Sequence, residues 1–231
     1  METYSYSLST SSRLDLSEYL TECLHETASL FNKVNELMLS KGIFIRSPYI
    51  PTPKMVEYVE KQSYLAGWFG AHRPMNVIEI SGIYYNMIRN QLGRTLCTGF
   101  SQVAKSEKVR DYMIRGRDIA NKHVEIFGST LGDELLPAAS SWDTLPTAST
   151  SPTFSDKLMM FNILSLNGIG IGNYGRNLGT TQRHDLAVTY TRLMTEVGAY
   201  AEDGANIMIQ NGWLEQAPQA PNRDQLANEK K

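Results

Sequence analysis

Cysteine is scarce. Cys23 and Cys97 are the only two in 231 residues, too few for a disulfide framework, and neither belongs to a CxxC or to a Cys/His cluster at zinc spacing. Both fall in helical patterns where a free thiol behaves as a small hydrophobe, so a reduced, cytoplasmic compartment is expected. An excess of either charge is lacking too. With 22 basic against 24 acidic residues the formal net charge is −2 and the pI about 6.1, which gives no electrostatic pull towards nucleic acid or an anionic membrane. No basic stripe interleaved with aromatics occurs. The opening METYSYSLSTSSRLDL has neither the basic nor the apolar segment of a secretory signal. The longest uncharged run, 158–175, is broken by Asn162, Ser165, Asn167, Asn173 and several glycines, so no membrane span is expected. Strand alternation bounded by hairpin turns is absent as well.

What remains is helical period. Leu16, Leu20, Cys23, Thr27, Leu30, Val34 and Leu37 are spaced 4, 3, 4, 3, 4, 3, an apolar stripe on one helix that Asp15 or Ser17 can cap and Gly42 can stop. The segment IFIRSPYIPTP follows, and its three prolines favour an extended strap. Val56 to Gly67 reads as a short helix, and Trp68 and Phe69 as apolar anchors, with Trp68 expected to be mostly buried against the outside of a bundle. Four long helices come next. The first, from Asn76, carries Ile80, Tyr84, Met87, Leu92, Leu96 and Phe100. The second is capped by Ser106, carries Val109, Tyr112, Met113, Ile119, Ala120, His123, Ile126, Phe127 and Leu131, and ends at Gly132. The third starts at Ser155 with Leu158, Phe161, Ser165, Gly168 or Ile169, and Gly172 turned inward. The fourth carries Leu186, Tyr190, Leu193, Val197, Tyr200, Gly204 and Ile207 and stops at Gly212.

Connection lengths select a topology. The first two helices of this set are joined tightly, as are the last two, while LLPAASSWDTLPTASTSPTF separates the pairs. That predicts an all-α, ferritin-like four-helix bundle with one long crossover loop. The expected organisation is an N-terminal helix in 1–42, a connector strap in 43–75, the bundle in 76–216 and a frayed tail in 217–231.

The N-terminal helix is not independent of the last one. Shifted by 170 residues, the sequence matches itself at twelve of 48 positions without a gap. The matches include Arg13 with Arg183, Asp15 with Asp185, Glu26 with Glu196 and Gly42 with Gly212. The N-terminal helix therefore reads as the last helix of a preceding repeat whose other helices lie outside this chain. Its apolar face needs a cover, and a homodimer through Leu16 to Leu39 is the expected one.

The stretches SKGIFIRSPYIPTP, GWFGAHRPMNVIEIS, GFSQVAKSEKVRDYMIRG, NKHVEIF, FSDKLMMF and YAEDGANIMIQNGWLEQAPQA resemble an uncharacterised domain family of spore-forming bacilli, distantly related to spore coat protein F. The resemblance spans nearly the whole chain. It implies tandem ferritin-like bundles and a structural, spore-associated role, and it brings no catalytic residues with it.

The alternative is a di-metal carboxylate protein holding iron or manganese, of oxidase or storage type. It needs a Glu from each of two helices and an ExxH from each of the other two, all facing inward. The only ExxH is Glu22–His25, outside the bundle and beside the apolar stripe. Within the bundle the candidate metal ligands are Glu79, His123, Glu125 and Glu196. Glu79 also suits a helix start, His123 equally reads as a hydrogen-bonded core histidine, and Glu196 could pair with Arg183 or Arg192. The GxGxxG spelled by Gly170 to Gly175 has no strand before it; Gly168, Gly170 and Gly172 read instead as a face that lets a neighbouring helix approach.

Overall fold

The computed structural model describes residues 1–66, 72–138 and 144–229. Among them all regular structure is helical, which agrees with the fold class read from the sequence. The chain divides into two compact units, Met1–Arg46 and Ser47–Lys231.

In the first unit a short helix α1 (Glu2–Thr10), which the sequence pattern did not reveal, packs against α2 (Leu14–Ser40). No residue of α2 is buried. Neither Asp15 nor Ser17 caps it. The cap position is Arg13, whose guanidinium forks onto the Asp15 carboxylate. Gly42 follows at φ +66, and the Ile43 N–H closes the end on Met38 O.

The second unit holds α3 (Val77–Val103), α4 (Glu107–Asp133), α5 (Asp156–Thr180), α6 (His184–Gln210) and a short α7 (Arg223–Asn228). α3 packs on α4 and α5, and α6 on α5 and α4, so the four make a square. Polar contacts give the directions. Asn76 meets Gln182, beyond the end of α5, and Asn90 meets Tyr174; Lys108 meets Gln210 and Lys122 meets Glu196. Every adjacent pair is thus antiparallel, and α4 and α5 run the same way. The end of α4 and the start of α5 therefore stand at opposite ends of the bundle, and 134–155 joins them. A 27-residue helix is about 40 Å long, which about 12 extended residues can span. Phe154 stands edge-on to Phe100 beside the end of α3.

The turns are tied across the bundle by carboxylates. Glu79, in a capping box with Asn76 at the start of α3, accepts from the Gln182 and Arg183 N–H groups between α5 and α6. Asp156, at the start of α5, accepts from the Lys105 and Ser106 N–H groups between α3 and α4. Two N-terminal carboxylates therefore neutralise two helix starts each, where the backbone donors are otherwise orphaned.

Several sequence expectations need correction. Of the helix expected over Val56 to Gly67, whose last residue lies outside the described residues, 56–66 form only a single 3-10 turn, Gln62–Leu65. The strap touches the core through Ile50 and packs Tyr64 under the Arg73 guanidinium, but Tyr49, Met55, Val56 and Tyr58 are exposed. Trp68 and Phe69 lie outside the described residues. α4 runs past Gly132, and the left-handed residue that closes it is Leu135, at φ +56. On α5 the buried residues are Met159, Met160, Ile163, Asn173 and Tyr174, whereas Leu158 and Phe161 are exposed. A side chain added at Gly168, Gly170 or Gly172 would meet nothing, so these glycines admit no close neighbour.

Candidate functional site

The core falls into two clusters. One gathers Ile83, Met87, Phe127, Leu131, Leu186 and Leu193 with their neighbours. The other gathers Cys97, Met113, Met159, Met160, Ile163 and Met208. The polar chemistry sits where they meet.

His123 projects from the apolar face of α4 and is fully buried. Its Nε2 lies 3.1 Å from Glu196 Oε2 on α6, and its Nδ1 lies 2.9 Å from the Tyr174 hydroxyl on α5. A carboxylate only accepts, so Nε2 carries the proton, and Nδ1 then accepts from the Tyr174 O–H. The same hydroxyl accepts from Asn90 Nδ2 on α3 at 2.7 Å. One histidine thereby stitches all four helices. Glu196 reaches the surface, where Lys122 Nζ donates to it at 2.8 Å. Burial pushes the His123 pKa down, and the Glu196 carboxylate offsets only part of that. Burial likewise raises the Tyr174 phenol and would raise Glu196, but Lys122 and His123 hold that carboxyl below its ordinary value.

Beside this chain lies a cavity of about 80 Å³ whose walls include Asn86, Asn90, Cys97, Asn167, Tyr174 and Tyr200. That is enough room for ordered water beside its polar walls. Burial pushes the Cys97 thiol up to about 12, so it stands there as a neutral thiol and no nucleophile.

Next to the cavity, α4 and α6 interlock. Tyr112 and Tyr200 stack 4.2 Å apart at 7°, and each donates its hydroxyl to the other's main-chain carbonyl, at 3.1 and 3.0 Å. The hydroxyls press on Gly116 and Gly204, where an added Cβ would come within 2.1 and 2.3 Å of them. The signal was present in the sequence as a Tyr-x3-Gly on each helix, Tyr112 to Gly116 and Tyr200 to Gly204, and it went unread. Tyr174, Asn90, Lys122 and Asp156 were also missed, since each depends on a partner far along the chain.

The four candidate ligands do not converge. His123 and Glu196 meet. Glu125 is exposed and takes the Asn121 amide. Glu79 sits at the end of the bundle, where Arg73 grips both oxygens at 2.8 Å and Thr181, Gln182 and Arg183 crowd Oε1. Burial would raise its carboxyl; the Arg73 guanidinium and the Asn76 and Gln182 N–H groups outweigh that and lower it. Arg183 pairs instead with Asp185 and Glu134. Among the described residues no three His, Cys, Asp or Glu side chains stand close enough to share a metal ion, and no helix is long and apolar enough to cross a membrane. The donor set does not fit a di-metal carboxylate centre.

The chain belongs to the family described as a protein of unknown function, DUF3231, whose profile matches residues 1–56 and 63–226. Among solved structures it is similar to a candidate spore coat protein from Bacillus halodurans C-125. The TM-score is 0.57 at 13% identity, over 65% of this chain and 98% of that one. At that identity the likeness speaks for the fold. No curated protein matches the chain.

Proposed function

We propose that this member of the DUF3231 family is a structural or interaction protein associated with the spore, and not an enzyme. The observation that carries the reading is the use made of its buried acids and bases. Among the described residues these are Glu79, His123 and Arg183, and each spends its hydrogen-bonding ends on joining helices or turns. A catalytic acid or base must keep one end for a substrate. The likeness to a candidate spore coat protein supports the location.

The parallel α4 and α5 and the long connection between them fit a ferritin-like order. The first unit fits the end of a second such bundle, because α2 and α6 are both 27 residues long and both bounds shift by 170, from 14 to 184 and from 40 to 210. In this reading α1–α2 is the protein's interaction element.

Metal analysis of protein purified without chelator is the test. Stoichiometric iron or manganese, lost on Glu79→Ala or His123→Ala, would overturn the structural reading in favour of a metal protein. Sub-stoichiometric metal, unchanged by either substitution, is the expected result.

A further inference from the structure

The contact between α4 and α6 supplies a template for what covers α2. Along one flank, α6 offers Glu196, Asp203 and Gln210, seven residues apart. α4 answers with Lys122, Arg115 and Lys108, also seven apart and in reverse order. An acidic flank thus meets a basic one, as antiparallel helices with a heptad-like seam allow. In the register that maps α6 onto α2, Glu196 corresponds to Glu26 and Asp203 to Lys33. One sign is reversed. The α6 flank needs a different, basic helix, whereas the α2 flank carries both halves of an ion pair seven residues apart and is complementary to itself.

We infer that α2 pairs antiparallel with α2 of a second copy of this chain, about a two-fold axis, with Glu26 facing the partner's Lys33 and Lys33 facing the partner's Glu26. This pairing rests on the proposed interaction role of α1–α2. The register comes out independently sensible. Setting Glu26 opposite Lys33 places the axis between them, near the middle of Leu14–Ser40, so the two helices overlap from 19 to 40. The apolar stripe then closes on itself. In the template the packed residues stand about two positions out of step with the charged ones: Tyr200 lies over Gly116 while Lys122 meets Glu196. The same offset sets Leu30 against the partner's Thr27, Val34 against its Cys23 and Leu37 against its Leu20. Leu30, Val34 and Leu37 are all exposed on α2, and burial of such side chains drives the association. The overlapping face of each helix, about 10 Å wide, buries an area at the weak end of protein interfaces. A weak, reversible dimer is expected.

The test is a charge swap in the full chain, read by sedimentation equilibrium over a concentration series. The parent should dimerise. Glu26→Lys and Lys33→Glu should each weaken the dimer by about tenfold, because each turns two attractions into two repulsions. The double variant should recover most of the affinity. Both residues are exposed, so at a concentration high enough to keep every variant dimeric far-UV circular dichroism should be the same for all four proteins. A parent that stays monomeric, single variants without effect, or a double variant as weak as the singles would each overturn the pairing, including the case where α2 instead binds a different chain. None of these outcomes bears on the metal content that tests the structural reading.

Discussion

At the scale of the residue, His123 shows how a titratable group can be structural. In the neutral ring Nε2–H is given to Glu196 and Nδ1 takes the Tyr174 proton. Protonation would bury a charge and make the Tyr174 hydroxyl, which already accepts from Asn90, accept from Nδ1–H as well and turn its own proton elsewhere. Burial holds the folded-state pKa below the ordinary 6.5. The unfolded chain therefore binds the proton first as pH falls, and stability should drop from about pH 6.5 downwards. The lowered carboxyls of Glu79, Glu196 and Asp185 work in the same direction, but only as pH falls below their ordinary values of 4.5, 4.5 and 3.8. Between pH 6.5 and 5 the slope should belong to His123. Urea melts of the parent and of His123→Gln across that range separate the contributions: the variant should be weaker at pH 7 and should lose the slope. An equal slope in both would show that His123 is not its source.

At the scale of the element, glycines on these helices have opposite meanings. Gly116 and Gly204 hold the tyrosine lock. A methyl at Gly116 must displace the Tyr200 ring, which is stacked and hydrogen-bonded, so Gly116→Ala should cost about 2–4 kcal/mol through overpacking and a broken buried hydrogen bond. Gly168 has open space around it, so Gly168→Ala should stabilise by about 0.5–1 kcal/mol, the gain in helix propensity. Thermal melts of the two variants should move in opposite directions; a shared sign would refute the lock. The contrast also explains what the sequence could convey. The stripes of α4 and α6 were legible because their apolar residues recur at 3 and 4, and nearly all of them are buried as read. α5 was not legible. It is apolar on more than one face, with Leu158 and Phe161 exposed while Met159 and Met160 are buried, and periodicity cannot choose among faces that are all apolar. The network around His123 was half legible: its inward position follows from the stripe, but Tyr174 and Asn90 come from α5 and α3, and only the packed bundle brings them to it.

At the scale of the whole molecule, the two units differ in how far each depends on itself. Among the described residues both core clusters, with the partly buried residues packed on them, draw only on those between Ile50 and Trp213. The cross-bundle caps of Glu79 and Asp156 also lie within the second unit. The first unit offers α1, which buries nothing, and α2, which buries nothing either. In proteins most helical stability comes from packing an amphipathic face rather than from propensity, so α2 should hold its helix fully only when its stripe is covered. Deleting residues 1–46 should therefore leave one cooperative thermal transition within a few degrees of the parent's and should abolish dimerisation. In the intact chain, dilution below the dimer's dissociation constant should lower the helical signal by about the share that α2 contributes, while the main transition stays where it was. Circular dichroism across a dilution series, set beside the same series for the deleted chain, reads both effects. A deleted chain that no longer unfolds cooperatively would mean that the second unit needs the first to fold. Helical content independent of concentration in a chain shown to dissociate would mean that α2 is held by something other than its twin.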